Sequence, residues 1–363
     1  MSDVKKQFVI ILLLAAIGLI YIYSASSFTG LMRYNDSFYF LKKELIGYLI
    51  VLPMIFFVIS IDTNFLLKYS IFFYVAALIF CLFTFIPKIG IAINGARRWI
   101  YTPFMNIQPI EILKPLYCLA CAKVISIYRY HSKGAVIGIL ILLLPATIIL
   151  LKQPDFGQLI VLGIATSVMF ISVKPKKEVF YISTILGVVV IAFLAITRPY
   201  RIKRILTFLD PWKDPRGSGF QIIQSLIAIN TGGFCGLGIG KSTQKISCLP
   251  MQHTDFIFSI ICEESGIIVG IFIMFLFLLL FNQILNSAIR IAESSIETSL
   301  ALIGLSAMIV GQAFFNIFVA TGTVPTKGIG LPFISYGASS IVGVGLAVGL
   351  IFALQSAHSS KYY

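Results

Sequence analysis

The sequence predicts an all-α, polytopic integral membrane protein with about ten transmembrane helices and one large extracytoplasmic loop between the seventh and eighth. Three observations carry this. Of 363 residues, 58% are apolar and only 12% charged, against roughly 45–50% apolar in an ordinary soluble domain, and the mean hydropathy is +0.97. Apolar runs long enough to cross a bilayer recur along the whole chain. One long polar segment, about 198–255, interrupts them. No repeat, low-complexity tract or linker divides the chain, so residues 1–363 read as one membrane domain. Lys plus Arg outnumber Asp plus Glu by 28 to 14, a balance that suits lipid headgroups or a phosphate-bearing substrate. No nucleic-acid-binding module is visible.

The spanning runs fall at 8–27, 44–61, 69–87, 110–127, 135–151, 157–173, 178–197, 256–284, 298–320 and 338–357. The first follows Lys5 and Lys6 like a secretory signal, but it is long enough to span and has no convincing small-residue cleavage site, so it is read as a retained helix. An even number of runs puts both termini on one side. Counted over short loops, Lys and Arg weakly favour that side being cytoplasmic, while the basic excess outside is concentrated in 198–255. Between the fifth and sixth runs, LLKQPDFGQ carries Pro154 and Gly157, which break the helix, and Lys152 and Asp155, which do not belong in lipid, so it reads as a tight turn on the outer face.

Cys118 and Cys121 form a Cys-x-x-Cys within an apolar run, with no nearby His or second pair, and read as small buried hydrophobes rather than a metal or redox site. Cys235 and Cys248 could pair on an oxidising face.

Several polar groups stand where lipid would penalise them. Arg97, Arg98 and Trp99 make either an interfacial anchor or a ligand contact. Glu111 and Lys114, at i and i+3 in the first turn of a span, share a helix face; a structural ion pair and a substrate-contacting lysine fit equally well. In the outer segment, 202–209 has the pattern of an amphipathic interfacial helix that holds Arg201, Lys203 and Arg204 at headgroup level. A glycine-rich stretch follows, from Gly232 to Gly240, then Lys241 and Lys245.

Asp255 stands at the mouth of the eighth run, where it could be a general base kept ionised by Lys241 and Lys245, or an N-terminal helix cap. Glu263 and Glu264 lie further along the same run about 100° apart, so at least one should face the protein interior. In 322–340, several Pro and Gly residues force irregular backbone. Such backbone either lines a cavity, with Lys327 and Ser335 facing it, or simply connects two spans.

Taken in order, ARRWI, QPIEILK, KQPDFGQ, DPWKDPRGSGFQIIQSLIAINTGG, GLGIGKSTQK, LPMQHTDFIF and PTKGIGLPFISYGAS resemble the SEDS family (shape, elongation, division and sporulation), polytopic peptidoglycan glycosyltransferases. The match runs from about Gly95 to the end, and its wording is closer to the division (FtsW-like) branch than to the elongation (RodA-like) branch. Met251, Ser265 and Ala338 depart from the usual family residues, and Met251 weakens any role for a carboxylate at that position.

The resemblance implies that Asp255 of HTDF is catalytic. It would deprotonate the 4-hydroxyl of an acceptor GlcNAc, which attacks the anomeric carbon of a donor MurNAc and expels undecaprenyl pyrophosphate with inversion. It further points to Arg97, Arg98, Trp99, Lys114 and Lys327 as functional positions; with Lys241, Lys245 and Ser335 from the polar segments read above, these are the expected substrate-binding residues. Glu111, Asp155, Glu263 and Glu264 remain as intramembrane polar groups. The implied substrate is lipid II, and the implied cofactor at most a divalent cation, Mg or Mn. Expected partners are a class B penicillin-binding transpeptidase, other divisome proteins and membrane lipids, and the expected location is the bacterial inner membrane. A lipid II flippase would need a polar path through the whole bilayer, whereas these groups gather on one face. A non-catalytic division scaffold would leave Asp255 dispensable.

Overall fold

The computed structural model describes residues 2–93, 95–102, 106–196, 199–247 and 251–359. The helices are α1 (Ser2–Tyr34), α2 (Tyr39–Ser60), α3 (Thr63–Lys68), α4 (Ser70–Leu82), α5 (Pro109–Ile127), α6 (Ser132–Lys152), α7 (Phe156–Ser172), α8 (Lys177–Ile196), α9 (Pro199–Leu209), α10 (Phe220–Gly232), α11 (Gln244–Ser247), α12 (Ile257–Ile291), α13 (Ile296–Ala320) and α14 (Ala338–Ser359). Each of the ten apolar runs falls on one of them. Among the described residues six helices, α1, α2, α6, α12, α13 and α14, are long and apolar enough to cross a membrane, and shorter apolar helices cover 70–85 and 156–172.

The all-α expectation needs one correction. Between α4 and α5 the chain forms an antiparallel hairpin, β1 (Gly90–Ile93) and β2 (Ala96–Ile100), with a register shift after Ile91. The short KIGIAI and ARRWI segments alternate too briefly to stand out beside spanning runs, and pairing satisfies backbone groups that would otherwise lie open where the bundle meets its surroundings. The long polar segment is also less of a loop than expected, because α9, α10 and α11 lie within it. The amphipathic reading of 202–209 falls on α9.

The bundle is centred on α13, which is buried along nearly its whole length, and on α5. Gly343 lets α14 close onto α5: a Cβ there would lie 2.5 Å from the Glu111 carbonyl oxygen. Cys118 and Cys121 are buried in α5. Cys235 is exposed, and Cys248 lies outside the described residues. Successive long helices run up and down, so the turns gather at two ends. One end holds the α1–α2 turn, the hairpin, the α6–α7 turn, 199–255 and 321–337. The other holds the start of α1, the α2–α3, α5–α6, α7–α8 and α12–α13 turns, and the end of α14. Arg290 near the end of α12 pairs with Asp3 at the start of α1, and Lys123 of α5 donates to the Lys68 carbonyl at 2.5 Å, which ties that second end together. The start of α1 and the end of α14 therefore both lie on it.

At 35 residues α12 would be about 52 Å long if straight. It is broken by Gly266, whose backbone (φ 80°, ψ 168°) is non-helical and in a region that non-glycine residues rarely adopt.

Candidate active site

Asp255 closes a turn, 251–256, just before α12. Neighbouring side chains and amides hold this turn through its main-chain oxygens. Asn316 of α13 donates from Nδ2 to the Asp255 carbonyl at 2.8 Å and to the Ile329 carbonyl at 2.6 Å. Ser335 Oγ donates to the Thr254 carbonyl at 2.6 Å and accepts from the Leu331 amide at 2.7 Å, while the Tyr336 amide donates to the His253 carbonyl at 2.9 Å. Two irregular segments are thereby stitched into one frame, and 322–337 is more than a connecting loop. Gly328 rests against the carboxyl group: a Cβ there would lie 3.1 Å from Asp255 Oδ2. The residue at the N-cap position of α12 is Phe256, with no side-chain cap bond, so Asp255 does not cap the helix.

The charges around Asp255 differ from the expected ones. Burial pushes its carboxyl up to about 7, against the pull of Arg204 and then Arg98, and the Asp155 carboxylate adds to the rise. Asp255 nevertheless keeps a partly exposed surface. It is therefore desolvated yet reachable, and poised near neutrality instead of held ionised. Nearby, burial first and Arg33 second lower His253 to about 4, so its imidazole is neutral at pH 7.

Arg98 projects from β2 onto the α6–α7 turn, donating from Nε to the Gln153 carbonyl (2.9 Å) and from Nη2 to the Pro154 carbonyl (2.6 Å), with Nε 3.8 Å from Asp155 Oδ2. Asp155 also accepts from Gln108 Nε2 at 3.1 Å. Burial raises its pKa, with Arg98 opposing. Arg204 of α9 donates to the Thr326 carbonyl. Lys327 Nζ stands 5.2 Å from the Phe156 ring centroid, and Lys327 and Ile329 close over Gly157. One basin thus collects Arg98, Arg204, Lys327, Asp155 and Asp255.

Beneath it lies a sealed polar layer. Lys114 Nζ is 2.9 Å from Glu111 Oε2 and donates to Gln312 Oε1 at 2.6 Å, Gln158 donates to Glu111 Oε1 at 2.8 Å, and Gln312 Nε2 donates to the Gly330 carbonyl at 3.0 Å. Lys114 is 1% exposed. The geometry is that of the structural ion pair: Lys114 meets the basin through Gln312 and the backbone of Gly330, and its charge also acts on the Asp155 carboxylate.

Lys241 and Lys245 are not part of the basin, which corrects their expected role beside Asp255. Lys245 is buried and 2.9 Å from Glu264 Oε1, and it also donates to the Gly240 carbonyl (2.6 Å) and Ser24 Oγ (3.2 Å). Glu263 accepts from the Thr243 amide and hydroxyl, both at 2.9 Å, and from the Ser242 hydroxyl. The two glutamates thus bind the glycine-rich loop to α12 beside the Gly266 kink. Gly236 allows the contact, since it has φ 77° and a Cβ there would lie 2.3 Å from the Glu264 carbonyl. Lys241 is exposed, as is Arg97. Trp99 faces Ile91 across the hairpin.

Sequence reasoning assigned Arg204 only to lipid and passed over the amides Gln108, Gln158, Gln312 and Asn316. Gln312 and Asn316 stood four apart in an otherwise apolar run, a helix-face signal that could have found them. Glu44 was missed as well. It is fully buried in α2 and accepts from the Gly337 amide at 3.2 Å. Among the described residues no three His, Cys, Asp or Glu side chains gather as metal ligands.

The family model FTSW_RODA_SPOVE, described as cell cycle protein, matches residues 5–360. Stage V sporulation protein E of Bacillus subtilis (strain 168) is 37% identical over 98% of this chain and 96% of its own length. A probable peptidoglycan glycosyltransferase FtsW of Geobacter sp. (strain M18) is 36% identical over 98% of both. Among solved structures, a chain from a peptidoglycan synthase complex that coordinates polymerization and crosslinking superposes with a TM-score of 0.75 at 26% identity, covering 97% of each chain. The rod shape determining protein RodA of Thermus thermophilus shares the fold, with a TM-score of 0.70 at 23% identity over 97% of this chain and 96% of its own.

Proposed function

The chain belongs to the FtsW/RodA/SpoVE family of cell cycle proteins, and from that membership and the basin around Asp255 we propose how it works as a peptidoglycan glycosyltransferase. The substrate is lipid II, used both as acceptor and as donor. The observation that carries the reading is the desolvated, partly exposed Asp255 with a pKa of about 7, inside a basin edged by Arg98, Arg204 and Lys327.

Asp255 takes the proton from the acceptor GlcNAc 4-hydroxyl as that oxygen attacks the donor MurNAc anomeric carbon. The bond to the pyrophosphate oxygen breaks as the new glycosidic bond forms, inverting the centre. A base works best with a pKa near the operating pH, and this one lies there. Arg98, Arg204 and Lys327 face the charge that develops on the leaving undecaprenyl pyrophosphate, where fixed cations act most strongly on the transition state. A divalent cation, Mg or Mn, would enter with the pyrophosphate. Ser335, Asn316 and the Lys114–Gln312 layer position the frame without touching substrate.

The arrangement in the cell is part of the proposal: ten spans in the inner membrane, termini cytoplasmic, the basin outside, and a class B penicillin-binding transpeptidase as partner. The likeness to the synthase-complex chain supports that partner. The division role is supported by the relatives named FtsW, and synthesis during sporulation is the second reading, favoured by the 37% identical stage V sporulation protein. The test is purified protein with lipid II, alone and with its transpeptidase, scored for glycan chains. No polymer under either condition, while lipid II still binds, would leave the scaffold reading standing.

A further inference from the structure

The far end of the bundle holds a second cavity that the glycosyl transfer does not use. Its volume is about 370 Å³, and it is lined by Arg129 and Tyr130 from the α5–α6 turn, Ser132 at the start of α6, Lys174 and Lys176 from the α7–α8 turn, and Ile296 at the start of α13. From here α6 rises to the Asp155 turn over 21 residues, about 30 Å at 1.5 Å per residue. That is the thickness of a hydrocarbon core, so the cavity lies at the membrane surface opposite the catalytic basin.

Three features make it a receptor for an anion. Its lining includes Arg129, Lys174 and Lys176 and no acid, and none of the three forms an ion pair among the described residues. Glu178, two residues after Lys176, and Glu297, next to Ile296 of the lining, are not among their ion-pair partners either. Three unpaired cations around one cavity repel each other unless a counter-ion sits between them. Next, α6, α8 and α13 all begin here, α6 without a side-chain cap, and their N-terminal dipole ends add positive potential to that of the side chains. The turn itself is built: Lys176 N donates to Ser132 Oγ at 3.1 Å, the Arg129 guanidinium lies 4.4 Å from the Tyr130 ring centroid, and Lys174 keeps a full side chain at φ 50°, where glycine would be easier.

We propose that this cavity binds the phosphodiester headgroup of an anionic membrane lipid. A lipid is favoured over free phosphate because apolar side chains flank the mouth: Ile127, Ile137 and Ile171 are 63%, 58% and 52% exposed and offer a bed for acyl chains. Arg129, Lys174 and Lys176 take the phosphate, and Ser132 and Tyr130 lie within the same lining for the polar head. The inference rests on the chain's spanning a membrane and not on its catalytic reading, so failure of one leaves the other intact.

The test uses the full-length protein in neutral phosphatidylcholine nanodiscs with a small fraction of phosphatidylglycerol, and native mass spectrometry to count retained lipids. The wild type should retain phosphatidylglycerol over phosphatidylcholine by about tenfold, and the triple variant Arg129→Gln/Lys174→Gln/Lys176→Gln should lose that preference while keeping its elution volume and melting temperature in phosphatidylcholine. A control, Lys5→Gln/Lys6→Gln, removes charge from the same end outside the cavity and should leave retention unchanged. Equal retention by the triple variant overturns the proposal, and an equal loss in the control overturns it in favour of diffuse surface charge. If millimolar inorganic phosphate competes off the retained phosphatidylglycerol, and in pure phosphatidylcholine discs stabilises the wild type but not the triple variant, the cavity is a free-phosphate site and the lipid assignment is wrong.

Discussion

Replacing Asp255 by Asn separates chemistry from stability, because the structure makes the two move in opposite directions. Burial lifts the carboxyl from 3.8 to about 7. For an acid whose folded pKa is raised, the folded protein holds its proton more tightly than the unfolded chain does. Stability is then highest below about 4 and falls as pH rises towards 7, where the buried group is made to ionise. The shift of about 3 units is worth at most about 4 kcal/mol at 1.36 kcal/mol per unit, less whatever the exposed edge of the side chain recovers from solvent. Asn keeps the shape and carries no charge, so Asp255→Asn should melt at a higher temperature than wild type at pH 8, by a smaller margin at pH 5, and at nearly the same temperature only at about pH 3. Its lipid II polymerisation should fall by about 10²–10⁴-fold, the range for loss of a base. The wild-type rate should itself climb roughly tenfold from pH 6 to pH 8, as the ionised fraction of a group with pKa near 7 goes from about a tenth to about nine-tenths. Gel-resolved glycan from purified protein, alongside differential scanning fluorimetry, reads both quantities. A variant that polymerises at more than about a tenth of the wild-type rate, or a wild-type rate flat across that interval, would refute the assignment.

The surrounding residues give further outcomes. Arg204→Gln removes the strongest pull towards ionisation, so the midpoint of the pH–rate profile should move to higher pH; a shift to lower pH would contradict the electrostatics described. Lys114→Met leaves Glu111 buried beside Gln312 without its cation and should cost about 3–5 kcal/mol of stability, whereas the double variant Lys114→Met/Glu111→Gln should recover most of it. Melting temperatures of the single and double variants decide this. Lys245→Met should likewise destabilise the protein by about 3–5 kcal/mol through the unpaired Glu264 while leaving the KM for lipid II unchanged, so a raised KM at wild-type stability would return Lys245 to the substrate. Asn316→Ala frees two backbone carbonyls and should lower kcat more than it raises KM, because it loosens the seat of Asp255 without removing a substrate contact.

Much of this was legible because lipid simplifies the code. Each of the ten runs landed on a helix, since apolarity over about 20 residues has few other meanings. Glu111 and Lys114 were correctly placed on one face by their spacing alone. What stayed hidden depends on where irregular segments dock. Lys245 precedes Asp255 by only ten residues, yet it pairs with Glu264, more than two turns further along α12, while Arg204, some fifty residues upstream, reaches the Asp255 basin. Proximity along the chain was a poor guide to which cation meets which carboxylate. The hairpin eluded detection because strands of four and five residues beside spanning helices leave almost no periodic signal. The pKa of Asp255 depends on enclosure, which no local pattern encodes.

The frame around Asp255 is stitched almost entirely to main-chain oxygens, those of His253, Thr254, Asp255, Ile329 and Gly330. Every residue type supplies that oxygen, so most positions in these two segments can mutate without loosening the catalytic seat. The donors Asn316, Gln312 and Ser335 have no such latitude. Divergence among relatives should therefore run freely through most residues whose main-chain oxygens accept, Asp255 apart, and halt at the few side chains that donate, allowing neutral drift to reshape the rim of the basin, and with it the choice of glycan or partner, while its floor stays fixed.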